Sequence, residues 1–132
     1  MCNKPLPVIL VVEDEPAIHR WLCKEFSGQA IILSALTIEE GERLFQENPD
    51  LSAVAMDACV PGNKPTTLPL ARKIRQTFKG PMIAISSLDE YRHDLMSAGC
   101  NYECPKGQTA QRIRQVLGLV GDNQSLKLCQ FS

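Results

Sequence analysis

No apolar run in this chain approaches the eighteen or so residues needed to cross a bilayer. Neither sign of charge is in large excess, with 14 lysines and arginines against 15 acids in 132 residues. The first absence excludes a membrane-embedded chain, and the second means there is no nucleic-acid-grade basic excess overall. A secretory signal is also missing. Met1-Cys2-Asn3-Lys4-Pro5 leads into an apolar stretch broken by Pro7 and closed by Glu13-Asp14-Glu15, without an h-region or small-residue cleavage site. A cytoplasmic address is therefore expected. No helix-turn-helix pattern is recognisable, so direct nucleic acid binding is not expected. Among six cysteines the only close pair is Cys100-x-x-x-Cys104, which lacks the second pair or His partner of a zinc site. Disulfide frameworks belong to small secreted chains with weak cores, so reduced, buried thiols are expected here.

What remains is an ordinary globular composition, 44% hydrophobic and 22% charged, in a length that fits one domain with a real core. The charge is unevenly spread. Residues 1–66 hold 10 acids and 5 bases, and residues 67–132 hold 5 acids and 9 bases. The basic group Arg72, Lys73, Arg75 and Lys79 could contact an acidic partner, but a solvated helix face is the commoner explanation.

Hydrophobic periodicity alternates between two kinds. Val8-Ile9-Leu10-Val11-Val12 is a continuous β-branched run, suited to a strand buried on both faces of a parallel sheet. Pro16 suits a first helical position, and Ile18, Trp21, Leu22 and Phe26 recur at helical spacing up to Gly28. Ala30–Ser34 reads as a second strand. Thr37-Ile38-Glu39-Glu40 is a capping box opening a helix with Ile38, Gly41 and Phe45 inward, stopped by Asn48-Pro49. Ala53–Met56 is a third strand ending on Asp57, and a proline- and glycine-rich loop follows from Val60 to Pro69. A third helix carries Leu70, Ile74 and Phe78, and Gly80-Pro81 precedes a strand at Met82–Ile85. Ser87-Leu88-Asp89-Glu90 reads as a second capping box, opening a helix with Tyr91, Leu95 and Ala98 that ends at Gly99. A fifth strand is expected at Asn101–Cys104, and a fifth helix holds Ile113, Val116, Leu117 and Val120. Residues 1–120 are then one domain, and the polar residues 121–132 a flexible tail or the start of a linker.

Strands alternating with helices imply a parallel sheet with right-handed crossovers. The expected fold is α/β, flavodoxin-like and doubly wound, five strands in the order 2-1-3-4-5 with five helices. In that order the crevice lies at the carboxyl ends of strands 1 and 3. Glu13-Asp14, Asp57, Ser86 and Lys106 all fall at this edge. Singly, each has a bland reading as a capping or solvated residue. Together they are harder to attribute to capping. Three carboxylates in one crevice repel unless a cation neutralises them, and Mg²⁺ favours such oxygen ligands together with phosphate oxygens. The metal supports phosphoryl transfer, and a carboxylate can be the nucleophile, forming an acyl phosphate.

Val11-Val12-Glu13-Asp14-Glu15-Pro16, Met56-Asp57-Ala58-Cys59-Val60-Pro61-Gly62, Pro81-Met82-Ile83-Ala84-Ile85-Ser86-Ser87, and Ala98-Gly99 with Lys106 together resemble the receiver domains of bacterial two-component response regulators. The resemblance runs from about Val8 to Val120. It implies a phosphorelay protein, phosphorylated on Asp57 with Mg²⁺ by a partner histidine kinase or phosphotransfer protein. Its only catalysis would be its own phosphorylation and dephosphorylation. Glu13 and Asp14 match the acidic pair that holds Mg²⁺, Asp57 the phosphoacceptor that also ligates it, and the Cys59 carbonyl a further ligand. Ser86 matches the hydroxyl that turns toward the phosphoryl group and Lys106 the lysine that pairs with it. Output is expected through the face of helix 4, strand 5 and helix 5, with a homodimer allowed.

The sequence departs from the pattern in places. Lys106 is followed by Gly107 and preceded by Pro105, where the family places proline after the lysine, and Glu103 occupies the place of an aromatic switch residue. Glu103 is expected to stay outside, with Arg92 as its partner and Tyr102 on the opposite side. A pseudo-receiver that signals by binding alone is the alternative. A flavin-binding flavodoxin would need a Ser/Thr/Gly-rich phosphate loop after strand 1, and a haloacid-dehalogenase-type phosphatase a D-x-D motif there. Glu13-Asp14-Glu15 supplies neither.

Overall fold

In the computed structural model, which describes residues 5–61 and 64–119, five strands form one parallel sheet in the order β2-β1-β3-β4-β5. The elements run β1 (Val8–Val12), α1 (Pro16–Glu25), β2 (Ile31–Ala35), α2 (Ile38–Glu47), β3 (Ala53–Asp57), α3 (Leu68–Thr77), β4 (Met82–Ile85), α4 (Asp89–Ser97), β5 (Tyr102–Cys104) and α5 (Thr109–Leu117), with a 3₁₀ turn at Lys106–Gln108 before α5. This is the expected topology. The expected tail at 121–132 lies outside the described residues, as does Val120.

Strand alternation divides the interior into two cores. Leu10, Val12, Val54, Met56, Met82 and Ala84 face one side and meet Leu70, Ile74 and Leu95 from α3 and α4. Ile9, Val11, Ala55, Ile83 and Ile85 face the other and meet Leu22 of α1, Phe26 just beyond its end, and Ala110 and Ile113 of α5. The central strands are therefore buried on both faces, which is why their sequences are unbroken apolar runs. Cys23, Cys59, Cys100 and Cys104 are free thiols.

The helix starts separate two look-alike sequence patterns. At α2 the Thr37 hydroxyl accepts a hydrogen bond from Glu40 N at 3.0 Å, and the Glu40 carboxylate accepts one from Leu36 N, close to the expected box. At α4 the expected Ser87 box is absent. Leu88 is the N-cap and makes no side-chain cap, while the Ser86 hydroxyl accepts from Leu88 N at 3.1 Å. Strands β2 and β5 each begin one residue later than their patterns suggest. Arg75 also departs from the solvated face assigned to it: its guanidinium donates to the carbonyls of Phe78, Gly80 and Gly99.

That clamp depends on Gly99, whose φ of 130° is a conformation that side chains resist. A Cβ there would sit 2.8 Å from Cβ and Cγ of Arg75. Gly99→Ala is expected to lower stability by about 1–3 kcal/mol, read as a fall in the urea midpoint. An unchanged midpoint would show that the turn relaxes freely.

Candidate functional site

Register brings the reactive residues to one height. Val12 pairs with Met56, Asp57 with Ile85, and Ile85 with Cys104, so Glu13, Asp57, Ser86 and the segment leading to Lys106 leave the sheet side by side. Glu13, Asp57 and Ser86 are buried, and Asp14 is half-buried. One carboxylate oxygen each from Glu13, Asp14 and Asp57 fall within 4.8 Å of one another.

Backbone donors fix two of these carboxylates. Cys59 N donates to Asp57 Oδ1 at 3.0 Å, and Glu15 N donates to Glu13 Oε2 at 3.0 Å. Lys106 Nζ enters from the 3₁₀ turn and lies 3.0 Å from Asp57 Oδ2, 3.2 Å from Glu13 Oε1 and 2.9 Å from Glu15 Oε1. The reversed placement of Pro105 and Gly107 around the lysine thus still allows it to reach Asp57.

The electrostatics follow from crowding. Burial, then the Asp57 charge, hold the Glu13 carboxyl well above the usual carboxylate range. Burial alone would lower the Lys106 ammonium, but hydrogen bonds to Glu15 and Asp57, with the Asp57 and Glu13 charges, outweigh it and raise the group. Burial and the Asp57 charge push the Cys59 thiol up, so it is a poor nucleophile. Asp57, Cys59, Ser86, Ser87, Leu88, Tyr91 and Lys106 line an open cavity of about 230 Å³.

Two positioning features were not read from sequence. His19 is buried on α1, and its Nε2 donates to the Glu13 carbonyl at 2.6 Å. Its signal was helical spacing with Leu22 and Phe26, which marks it as inward. Thr67 is fully buried, and its hydroxyl donates to the Asp57 carbonyl at 2.8 Å, tying the loop back to the end of β3. The Thr66 hydroxyl donates to Val60 O and accepts from Val60 N in the same loop. Nothing in a proline-rich stretch marks those partners. Glu103 stays outside and pairs with Arg92 at 3.2 Å, while Tyr102 packs with the α1 and α5 core under the Arg112 guanidinium, as expected.

No family model and no curated protein matches the sequence. Solved structures do. The N-terminal domain of an uncharacterized protein from Wolinella succinogenes is 27% identical, with a TM-score of 0.71 over 96% of this chain and 99% of that one. A CheY-like response regulator receiver domain from Methanospirillum hungatei is 20% identical, with a TM-score of 0.70 over 93% and 99%. The chain has the fold of response regulator receiver domains. A third match with this receiver fold, 17% identical with a TM-score of 0.70 over 85% and 89%, comes from the co-crystal of the Saccharomyces cerevisiae phosphotransfer protein Ypd1 and the receiver domain of Ssk1. No helix among the described residues is long and apolar enough to cross a membrane.

The carboxylate cluster is a hard-oxygen donor set of the kind a divalent cation takes. Adding Mg²⁺ to metal-free protein is expected to raise the thermal midpoint, because a ligand that binds only the folded state stabilises it. The rise should shrink in Asp14→Asn. Equal rises in both proteins would place the ion elsewhere.

Proposed function

We propose that this receiver fold is a phosphoacceptor: Asp57 takes a phosphoryl group from a histidine kinase or phosphotransfer protein and relays its presence to a protein target. One observation carries the reading: Asp57 opens into a cavity lined by Ser86 and Lys106, beside two further carboxylates. In the transfer, an Asp57 carboxylate oxygen attacks phosphorus. The bond from phosphorus to the donor nitrogen or oxygen breaks, and the donor leaves with the electron pair, to be protonated when it is an imidazole. Glu13, Asp14, Asp57 and the Cys59 carbonyl would hold Mg²⁺, which would supply charge neutralisation for the incoming phosphoryl oxygens.

The chain's own groups supply the rest. Cys59 N orients one Asp57 oxygen, leaving the other toward Lys106. Lys106 is a charge-assisted donor to the transferred group, and Ser86 offers a hydroxyl proton. Glu15 holds the lysine from the far side, so pairing with phosphate oxygens exchanges one set of anionic partners for another. The Ssk1–Ypd1 co-crystal supports the class of donor. Output through the face of α4, β5 and α5, a cytoplasmic address, a domain spanning 1–120, and a homodimer belong to the same proposal. The alternative pseudo-receiver rested on the segment from Asn101 to Gly107. That segment forms β5 and the turn that brings Lys106 within 3.0 Å of Asp57, which supports the phosphoacceptor reading.

Acetyl phosphate with Mg²⁺ is expected to add one phosphoryl group by intact mass, EDTA to prevent it, and Asp57→Asn to abolish it. A folded protein that gains no mass in ample Mg²⁺ would falsify the phosphoacceptor reading in favour of the pseudo-receiver. The product should also be long-lived. Hydrolysis needs an aligned water, and the cavity walls at Cys59 and Leu88 present a thiol and an isobutyl group where a water-orienting amide or carboxylate would speed the attack. Cys59→Asn is expected to shorten the label's half-life. Rapid decay that this change leaves untouched would exclude that account.

A further inference from the structure

Arg92 is a charged residue placed almost entirely inside the protein. Its side chain is 10% exposed, and its guanidinium spans three elements. Nη1 donates to the carbonyl of Ser86 at the end of β4, Nη2 meets Asp89 Oδ1 in the first turn of α4, and Nε donates to Glu103 Oε1 on β5 at 3.2 Å. A guanidinium presents its donors in a rigid planar fork, so these contacts are not independent. Displacing one acceptor tilts the plane and strains the other two.

The ends of this fork lie in different environments. Ser86 is buried and lines the cavity over Asp57, with its hydroxyl oxygen accepting from Leu88 N and its proton left to donate. Asp89 and Glu103 have side chains 93% and 47% exposed. One buried cation thus joins the peptide that carries a cavity hydroxyl to two carboxylates on the outer surface. The charge-assisted bond to the Ser86 carbonyl sets the orientation of that peptide, and with it the direction in which the hydroxyl can point. Leaving the guanidinium short of an acceptor in this position is costly, so it follows its partners when they move.

We infer that Arg92 is a positioning residue for Ser86, and that its ion pair with Glu103 couples occupancy of the Asp57 cavity to the outer edge of β5. The consequence for signalling rests on the phosphoacceptor reading, whereas the linkage itself does not. Phosphate oxygens on Asp57 draw the Ser86 hydroxyl, its carbonyl moves against Nη1, and Nε shifts against Glu103. Coupling of this kind is reciprocal, so disturbing Glu103 must also loosen Ser86 before any phosphoryl group arrives.

Amide exchange across residues 86–104, with intact mass, tests both directions in wild type, Glu103→Gln and Arg92→Lys. Before phosphodonor, Glu103→Gln is expected to speed exchange at residues 86–88 and leave β1 and β3 unchanged. Wild-type exchange at 86–88 in this variant overturns the coupling, whether or not the protein can be phosphorylated. After acetyl phosphate and Mg²⁺, wild type should change at 86–92 and 102–104. Glu103→Gln should still take up one phosphoryl group but lose the response at 102–104, and retention of that response overturns the outward half of the inference. Arg92→Lys keeps the charge but not the fork, and should gain mass several-fold more slowly. In a Ser86→Ala background the same change should slow it no further, because the hydroxyl being positioned is gone. Equal slowing in both backgrounds would reduce Arg92 to a structural residue. Absence of mass gain in wild type would count against the phosphoacceptor reading alone, since the exchange comparison before phosphodonor still decides the linkage.

Discussion

Carboxylates that repel one another are held together at the carboxyl edge of this sheet, and much of the surrounding structure serves to keep them there. Glu13, Asp14 and Asp57 approach within 4.8 Å, with Lys106 as the cation set between Glu13, Asp57 and Glu15. Left to themselves such groups would separate or take up protons. Burial first, and then the neighbouring Asp57 charge, holds the Glu13 carboxyl above the usual carboxylate range. What resists separation is backbone: parallel register places the strand ends together, and Cys59 N and Glu15 N each hold a carboxylate oxygen. His19 and Thr67 hold the carbonyls of Glu13 and Asp57 from outside the cavity. A site kept under electrostatic load in this way responds strongly to any cation or phosphoryl group that changes its charge.

The parts legible in the sequence are those set by local rules. Val8–Val12, Ala53–Met56 and Met82–Ile85 are short apolar runs because both sheet faces are covered. Their ends then locate Glu13, Asp57 and Ser86 without further information. The edge strand β2 is exposed along much of its length, so its pattern is weaker and marks its start only to within one residue. Thr37 and Ser87 show where local rules stop. Both begin a pattern of the capping-box type, yet only Thr37 caps. At α4, Leu88 N already has the Ser86 hydroxyl as acceptor and Asp89 is turned toward Arg92, so the chain enters the helix one residue later.

His19, Thr67, Arg75 and Arg92 were hidden for a common reason. Each acts on main-chain carbonyls, His19 reaching one six positions away, Thr67 one ten away and Arg75 one twenty-four away. A carbonyl acceptor carries no side-chain identity, so no pairing of residue types betrays the contact. Arg92 was legible on its Glu103 side, where two opposite charges face each other across α4 and β5, and invisible on its Ser86 side.

That asymmetry bears on how a surface could sense the cavity. An aromatic ring at position 103 would report by filling or leaving an apolar space, a response of packing that salt hardly touches. A glutamate cannot enter such a space without losing its hydration, a cost of several kcal/mol as an order of magnitude for an unpaired polar group. It can, however, hold a guanidinium. The price of that substitution is screening: Arg92 is shielded by the fold, but Glu103 is 47% exposed and its field is damped beyond about 8 Å at physiological ionic strength. A contact at 3.2 Å lies well inside that distance, so the inner link from Glu103 to Arg92 to Ser86 persists while longer-range effects of the same charge fade. The proposed coupling would thereby be confined to groups that touch, with the outer edge of β5 as a short-range reader of the Asp57 cavity.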